Sequence, residues 1–286
     1  MLGRNGVPEK FHGDSSDVTT DEAIKFIKKQ ANANKPFLTV VWFGSPHSPH
    51  QALTADKELY AALPSKDQEY YGEITAVDRS VGRLRAALRE FNVADNTIFW
   101  YNSDNGGIAG PKSTGNLRGS KGTLWEGGLR VPGIIEWPAR IVKPFISEMP
   151  CSTLDIYPTV LEATGAKAPH QIQPLDGVSL MSLIDRKSEV RSQAIPFWAH
   201  GKDLGGHAAL LDWPYKLHTN PSKKGRNEKG ELPKALLYDV SKDPVESIDL
   251  AAQDPERVAK MSAALEAWKA SVEKSLAGAD YVANVK

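Results

Sequence analysis

The sequence predicts an α/β protein, in which a mostly parallel sheet flanked by helices is followed by a small antiparallel sheet and a closing helix. Three observations carry this. Two runs, PFLTVVWF at 36–43 and NTIFWYNSD at 96–104, are β-branched and aromatic without polar alternation, the pattern of strands buried on both faces. Between them Tyr70, Ile74, Val77, Val81, Leu84 and Leu88 recur in steps of three and four, the stripe of a long helix with a core face. Beyond about residue 190 the texture changes to short strand-like runs divided by turn residues.

In chain order, the first helix is expected over AIKFIKKQ, where Ile24 and Ile27 recur at helical spacing behind the early carboxylates Asp21 and Glu22. The strand PFLTVVWF follows, then the long helix from about Lys66 to Phe91, then the strand ending in NSD. VPGIIEWP supplies a third short strand, and TLDIYPTVLEATG reads as a helix stopped by Gly165. AIPFWAH, HAALLDWPYKLH and ALLYDV make the antiparallel sheet, with the polar loop NPSKKGRNEKGELP between its members. In the last helix Val258, Met261, Leu265, Trp268 and Val272 line one face. Two regions are expected, 1–190 and 191–286.

Composition narrows the function classes. Thirty-five Lys plus Arg balance thirty-five Asp plus Glu, so no global field favours nucleic acid or an anionic membrane, and specificity has to be local. Cys151 is the only cysteine, which excludes an intramolecular disulfide framework and a multi-cysteine zinc site. No apolar stretch approaches the roughly 20 residues of a membrane span.

Three stretches carry chemistry. Asp104 and Asn105, in SDNGG at the carboxyl end of a strand, offer hard oxygens suited to calcium or magnesium, and strand ends of this kind are where α/β sheets bind ligands. Such an ion takes about six oxygens or more, so two residues are only part of a shell. The Asn-Gly pair within it also makes an ordinary strand-to-loop turn. Lys121, between Gly119 and Gly122 in LRGSKGTLWEGGLRVPGIIEWP, presents an ammonium fit for a small oxyanion, though no Walker phosphate loop is present. His47 and His50 stand in SPHSPHQ, a proline-stiffened loop at the end of the first strand, where imidazole serves acid-base work or simply a rigid surface turn.

Taken together, SPHSP, SDNGG, GSKGTLWEGGLRVPGIIEWP and LLYDVSKDPVESIDLA, in this order and with GDSSDVTTDEAIKFI upstream, resemble the sulfatase family of the alkaline-phosphatase-like superfamily over nearly the whole chain. The resemblance implies a partial alkaline-phosphatase-like fold, with 1–190 as part of the catalytic α/β domain and 191–286 as the C-terminal subdomain. It makes Asp104 and Asn105 ligands of a divalent cation, usually calcium, and puts Lys121 and His47 on the sulfate and the leaving oxygen. His200, at the end of AIPFWAH, is expected at the rim of the substrate pocket. His50 is expected to be structural more than functional, and His207 and His218 are left without a role. The partner is then a sulfate ester of an aryl or carbohydrate alcohol.

Sulfatases attack with a formylglycine made from a Cys/Ser-x-Pro/Ala-x-Arg motif, and that pattern does not occur in these 286 residues. Cys151, in CSTLDIYPT, lacks the proline and arginine and is expected to pack. The expectation is therefore an N-terminally truncated sulfatase, inactive alone and prone to aggregate because sheet and helix faces are left uncovered. Export to the periplasm or beyond is implied for the full-length parent. Two alternatives stand beside it: a degenerate sulfatase that only binds sulfate or glycan, and a phosphoester or phosphonate hydrolase of the same superfamily.

Overall fold

The computed structural model describes residues 2–108, 113–169, 171, 174–198, 206–221 and 233–279. They form two compact units, one of residues 1–99 and 136–142, the other of 100–135 and 143–286.

The first unit opens with a hairpin not foreseen from the sequence, β1 (Leu2–Arg4) against β2 (Val7–Glu9), turned at Asn5-Gly6. The helix α1 (Ser15–Asn32) begins before the expected acidic pair, because the Asp14 carboxylate accepts from the Ser16 and Asp17 N–H groups and caps it there. A short α2 (Thr54–Glu58) and the long α3 (Ser65–Glu90) follow, the latter close to the periodicity. Ala23 and Ile27 of α1 meet Leu84 and Leu88 of α3 in the core. Ile74 alone leaves the predicted stripe and is exposed.

Residues 36–43 depart from expectation. The segment is extended but belongs to no ladder among the described residues. Its burial alternates: Phe37, Val41 and Phe43 pack on the α1–α3 core, while Leu38, Val40 and Trp42 are 70%, 64% and 85% exposed. The run is apolar on both faces, yet strand burial depends on neighbours, and here only one face has them. An environment-sensitive apolar dye is expected to light up on this face. Val40→Lys combined with Trp42→Lys should cut that fluorescence by more than about half and leave the unfolding midpoint in place. Unchanged fluorescence would place the dye elsewhere.

In the second unit, β3 (Phe99–Asn102) pairs with β4 (Gly133–Glu136), both crossing the unit boundary, with α4 (Glu126–Leu129) between them in sequence. A 3-10 turn at Thr153–Asp155 leads into α5 (Ile156–Thr164), stopped at Gly165 as expected. After α6 (Met181–Ile184) comes the predicted antiparallel sheet: β5 (Ile195–Trp198), β6 (Ala208–Asp212), β7 (Tyr215–Thr219) and β8 (Ala235–Asp239), in that spatial order. The closing helix α7 (Pro255–Leu276) lays Met261 and Leu265 on Leu210, Leu217 and Leu237. Side chains alternate across a strand, so Lys216 and His218 of β7 face away from α7. That second sheet face is filled by Trp125, Leu236, Tyr238 and Val240.

Candidate active site

Asp104 and Asn105 follow β3 directly, and the structure keeps their oxygens available. The Asp104 carboxylate is exposed and has no hydrogen-bond or ion-pair partner among the described residues. Asn105 donates its Nδ2 to the Gly106 carbonyl at 3.0 Å, which leaves Oδ1 as an uncommitted acceptor. Two hard-oxygen side chains with open valences fit one side of a calcium or magnesium shell. No group of three or more His, Cys, Asp or Glu able to hold a metal occurs among the described residues.

The glycine loop that bears Lys121 packs against this turn. The Gly106 N–H donates to the Gly128 carbonyl at 2.9 Å, and the Lys121 N–H to the Gly107 carbonyl at 2.8 Å. Contact is so close that a Cβ on Gly106 would overlap the Gly127 carbonyl oxygen, which is why backbone without a side chain is needed there. Gly119 and Gly122 flank the lysine at φ +75° and +83°, left-handed conformations that turn the chain sharply and leave Lys121 exposed at the tip. The metal-competent turn and the lysine loop are thus brought together by two main-chain hydrogen bonds.

The histidine loop lies in the first unit. His47 is exposed; its main-chain N–H donates to the Gly44 carbonyl at 3.0 Å, and its Nδ1 lies 2.8 Å from the Ser48 carbonyl. A carbonyl can only accept, which assigns the proton to Nδ1 and directs Nε2 to any ligand. His50 has a different task. Its Nδ1 lies 3.2 Å from Glu73 Oε2, and its ring stands edge-on to Tyr70 at 5.3 Å. Glu73 also accepts from the Gln51 N–H at 2.8 Å, and Glu69 from the Ala52 N–H at 2.9 Å. The Lys57 ammonium, then the Ala52 N–H, hold the Glu69 carboxyl below the usual range. His50 thereby ties the loop to α3. His200 falls outside the described residues.

Cys151, expected to pack, is instead an exposed residue at the start of the turn before α5, its Sγ against the Met149 carbonyl at 3.5 Å. Burial of the thiol, then the Asp155 charge, push it up to about 11, away from the thiolate that a nucleophile needs.

A buried polar cluster under the lysine loop was not singled out from the sequence. Lys216 Nζ reaches Glu126 Oε1 at 2.8 Å and Glu246 Oε1 at 3.2 Å. The other Glu246 oxygen, Oε2, accepts the Glu126 main-chain N–H at 2.7 Å. His218 Nε2 lies 2.7 Å from Glu246 Oε1, and His207 Nε2 lies 2.9 Å from His218 Nδ1. Because the carboxylate only accepts, both rings are assigned their proton on Nε2. Burial, then Lys216 and Arg118, push His218 well below the usual imidazole range. Burial, then His218 and Lys216, bring His207 down to about 3. Both are neutral, so the His218–Glu246 contact is a hydrogen bond rather than an ion pair.

Among the described residues no helix is long and apolar enough to cross a membrane. The family described as Sulfatase matches residues 3–166. A sulfatase of Formosa agariphila is 29% identical over 88% of this chain and 50% of its own length. Human steryl-sulfatase is 35% identical over 59% of this chain and 29% of its own. Among solved structures, Ps i-CgsB superposes with a TM-score of 0.79 at 29% identity, over 93% of this chain and 57% of that one. The chain spans about half the length, or less, of these curated relatives. With its fold, its glycine-framed lysine loop and these matches in hand, the chain belongs to the sulfatase family.

Proposed function

We propose that this chain supplies the sulfate-facing part of a sulfuric ester hydrolase that acts on a sulfated carbohydrate or aryl alcohol. The observation that carries the reading is the Lys121 N–H bonded to the Gly107 carbonyl at 2.8 Å, which joins the loop bearing the exposed lysine to the turn that bears Asp104 and Asn105.

In this reading Lys121 places its positive charge against a sulfate oxygen and offsets the charge that develops on the leaving oxygen. His47, held by the Ser48 carbonyl, presents Nε2 and, as the imidazolium with both ring nitrogens protonated, gives the Nε2 proton to the departing alcohol and is left neutral. Asp104 and Asn105 would hold part of the shell of a divalent cation, calcium by family precedent, which when bound would supply positive charge against the sulfate. His50 and Glu73 keep the histidine loop in place. Family members attack sulfur with a formylglycine, whose motif is absent from these residues; the chain alone is therefore expected to bind sulfate without turning over sulfate esters. Support for a carbohydrate comes from the relative Ps i-CgsB, solved in complex with k-i-k-neocarrahexaose at 30% identity to this chain.

The test is titration of inorganic sulfate by calorimetry, with and without calcium. Lys121→Ala removes a charge-assisted contact of about 1.5–3 kcal/mol, an affinity loss of about ten-fold to a hundred-fold. Asp104→Ala is expected to abolish the calcium dependence. Binding that is indifferent to both substitutions would sink the reading.

A further inference from the structure

Lys121 itself touches little, yet the loop that bears it is gripped at its other end. Within residues 118–128 the chain closes on itself: the Gly127 N–H donates to the Arg118 carbonyl at 2.7 Å, and the Thr123 N–H to the Ser120 carbonyl at 3.0 Å. The Arg118 guanidinium lies over the Trp125 ring at 3.3 Å from its centroid, and Trp125 is 1% exposed. From this buried base the charged contacts run mainly to the antiparallel sheet and the segment after it, with Arg130 Nη1 adding a longer one, 3.8 Å from Glu126 Oε2. Arg118 Nη1 donates to the Tyr238 hydroxyl at 3.0 Å and to the Glu246 carbonyl at 3.1 Å. The Glu126 N–H donates to Glu246 Oε2, and the Glu126 carboxylate is met by Lys216. Lys216, His218 and Glu246 are each fully buried.

Within the buried part, Lys216 and Arg118 face Glu126 and Glu246, and the half-exposed Arg130 meets Glu126 from the outside. A buried ion cluster of this kind gives little net stability over an apolar packing of the same volume. What it supplies is direction, because each hydrogen bond has one geometry. The Glu246 carboxylate is its centre, accepting from Lys216, His218 and the Glu126 main chain at once.

We infer that Glu246, with Lys216 and His218, is a positioning residue: it fixes the 118–128 loop from below and so sets where the Lys121 ammonium stands, without touching substrate. The inference rests on the proposed sulfate-binding role of Lys121. Sequence separation hides it, since the loop, β7 and residue 246 come from distant parts of the chain.

The experiment is amide hydrogen exchange on the full chain, read residue by residue, alongside sulfate titration in calcium. The variants are Glu246→Gln, which keeps the shape but puts an amide NH2 where one oxygen accepted, and Lys121→Ala. Glu246→Gln is expected to speed exchange at the Lys121, Gly106 and Gly127 amides by about ten-fold or more, relative to the β7–β8 ladder amides. Sulfate affinity should fall by about ten-fold although Lys121 is intact. Loop amides that exchange as in the parent, or that speed up only by the factor seen in the ladder, overturn the inference. Should Glu246→Gln fail to fold, Glu126→Gln reads the same amides, because it leaves the Glu126 N–H bond in place and weakens the Lys216 arm together with the longer, half-exposed Arg130 contact. If Lys121→Ala binds sulfate as the parent does, the functional reading falls and exchange alone decides the anchoring. If Lys121→Ala weakens binding but Glu246→Gln loosens the loop with unaltered affinity, positioning is overturned and the functional reading stands.

Discussion

Asp155→Ala is expected to destabilise the second unit by about 3–5 kcal/mol, the cost of leaving a buried charge without its partner. Asp155 is fully buried, and the Arg191 side chain is 3% exposed. Its Oδ2 accepts from Arg191 Nη1 at 2.6 Å and from the Ser152 N–H at 2.7 Å. The other oxygen, Oδ1, accepts from Arg191 Nη2 at 2.9 Å and from the Val178 N–H at 2.8 Å. One carboxylate therefore caps the turn before α5, tethers the approach to α6 and neutralises a guanidinium. Urea unfolding measures the loss. Arg191→Met made together with Asp155→Ala should recover part of it, because the orphaned charge goes too. A midpoint shift in the single variant equivalent to under about 1 kcal/mol would show that the pair is not buried as described.

Acidification is the second large effect. His207 and His218 are neutral in the fold and lie against Lys216, Arg118, Glu246 and Trp125. In the unfolded chain each takes a proton near 6.5, the ordinary imidazole value, whereas folded His207 does so only at about 3. A depressed imidazole makes the unfolded state the one that binds more protons, so stability is full above that unfolded value and is lost progressively as pH falls towards the folded one. His207 costs about 1.4 kcal/mol per pH unit inside the window, about 2 kcal/mol at pH 5 relative to pH 7, and His218 acts in the same direction. Urea midpoints at pH 5 and pH 7 test this, and His207→Gln should shrink the difference by about 2 kcal/mol while leaving the part due to His218. Equal midpoints in the parent would mean that the pair is not held neutral.

The helices were legible because their signals are local. The step pattern from Tyr70 to Leu88 needs no partner to declare a helix, and α3 and α7 follow it closely. Burial of residues 36–43 was not legible in the same way. Apolar residues at every position say that both faces could be covered, but only packing decides which are, and Trp42 is 85% exposed. His50 shows the same limit: nothing in SPHSPHQ announces Glu73, which a helix brings to its ring from 23 residues away.

For the candidate site, the sequence alone determined the residue types and the loops that bear them. Asp104, Asn105, Lys121 and His47 are marked by glycines and prolines next to them in the chain, since turn geometry is a local property. The tertiary structure alone decided that the lysine loop rests on the Asp-Asn turn through the Lys121 N–H and Gly107 carbonyl. It also decided that Lys216 and His218, which read as the polar face of a strand, are fully buried. A charge becomes a core residue only when opposite charges arrive from elsewhere to compensate its lost hydration, and Glu126 and Glu246 do so from 90 and 30 residues away.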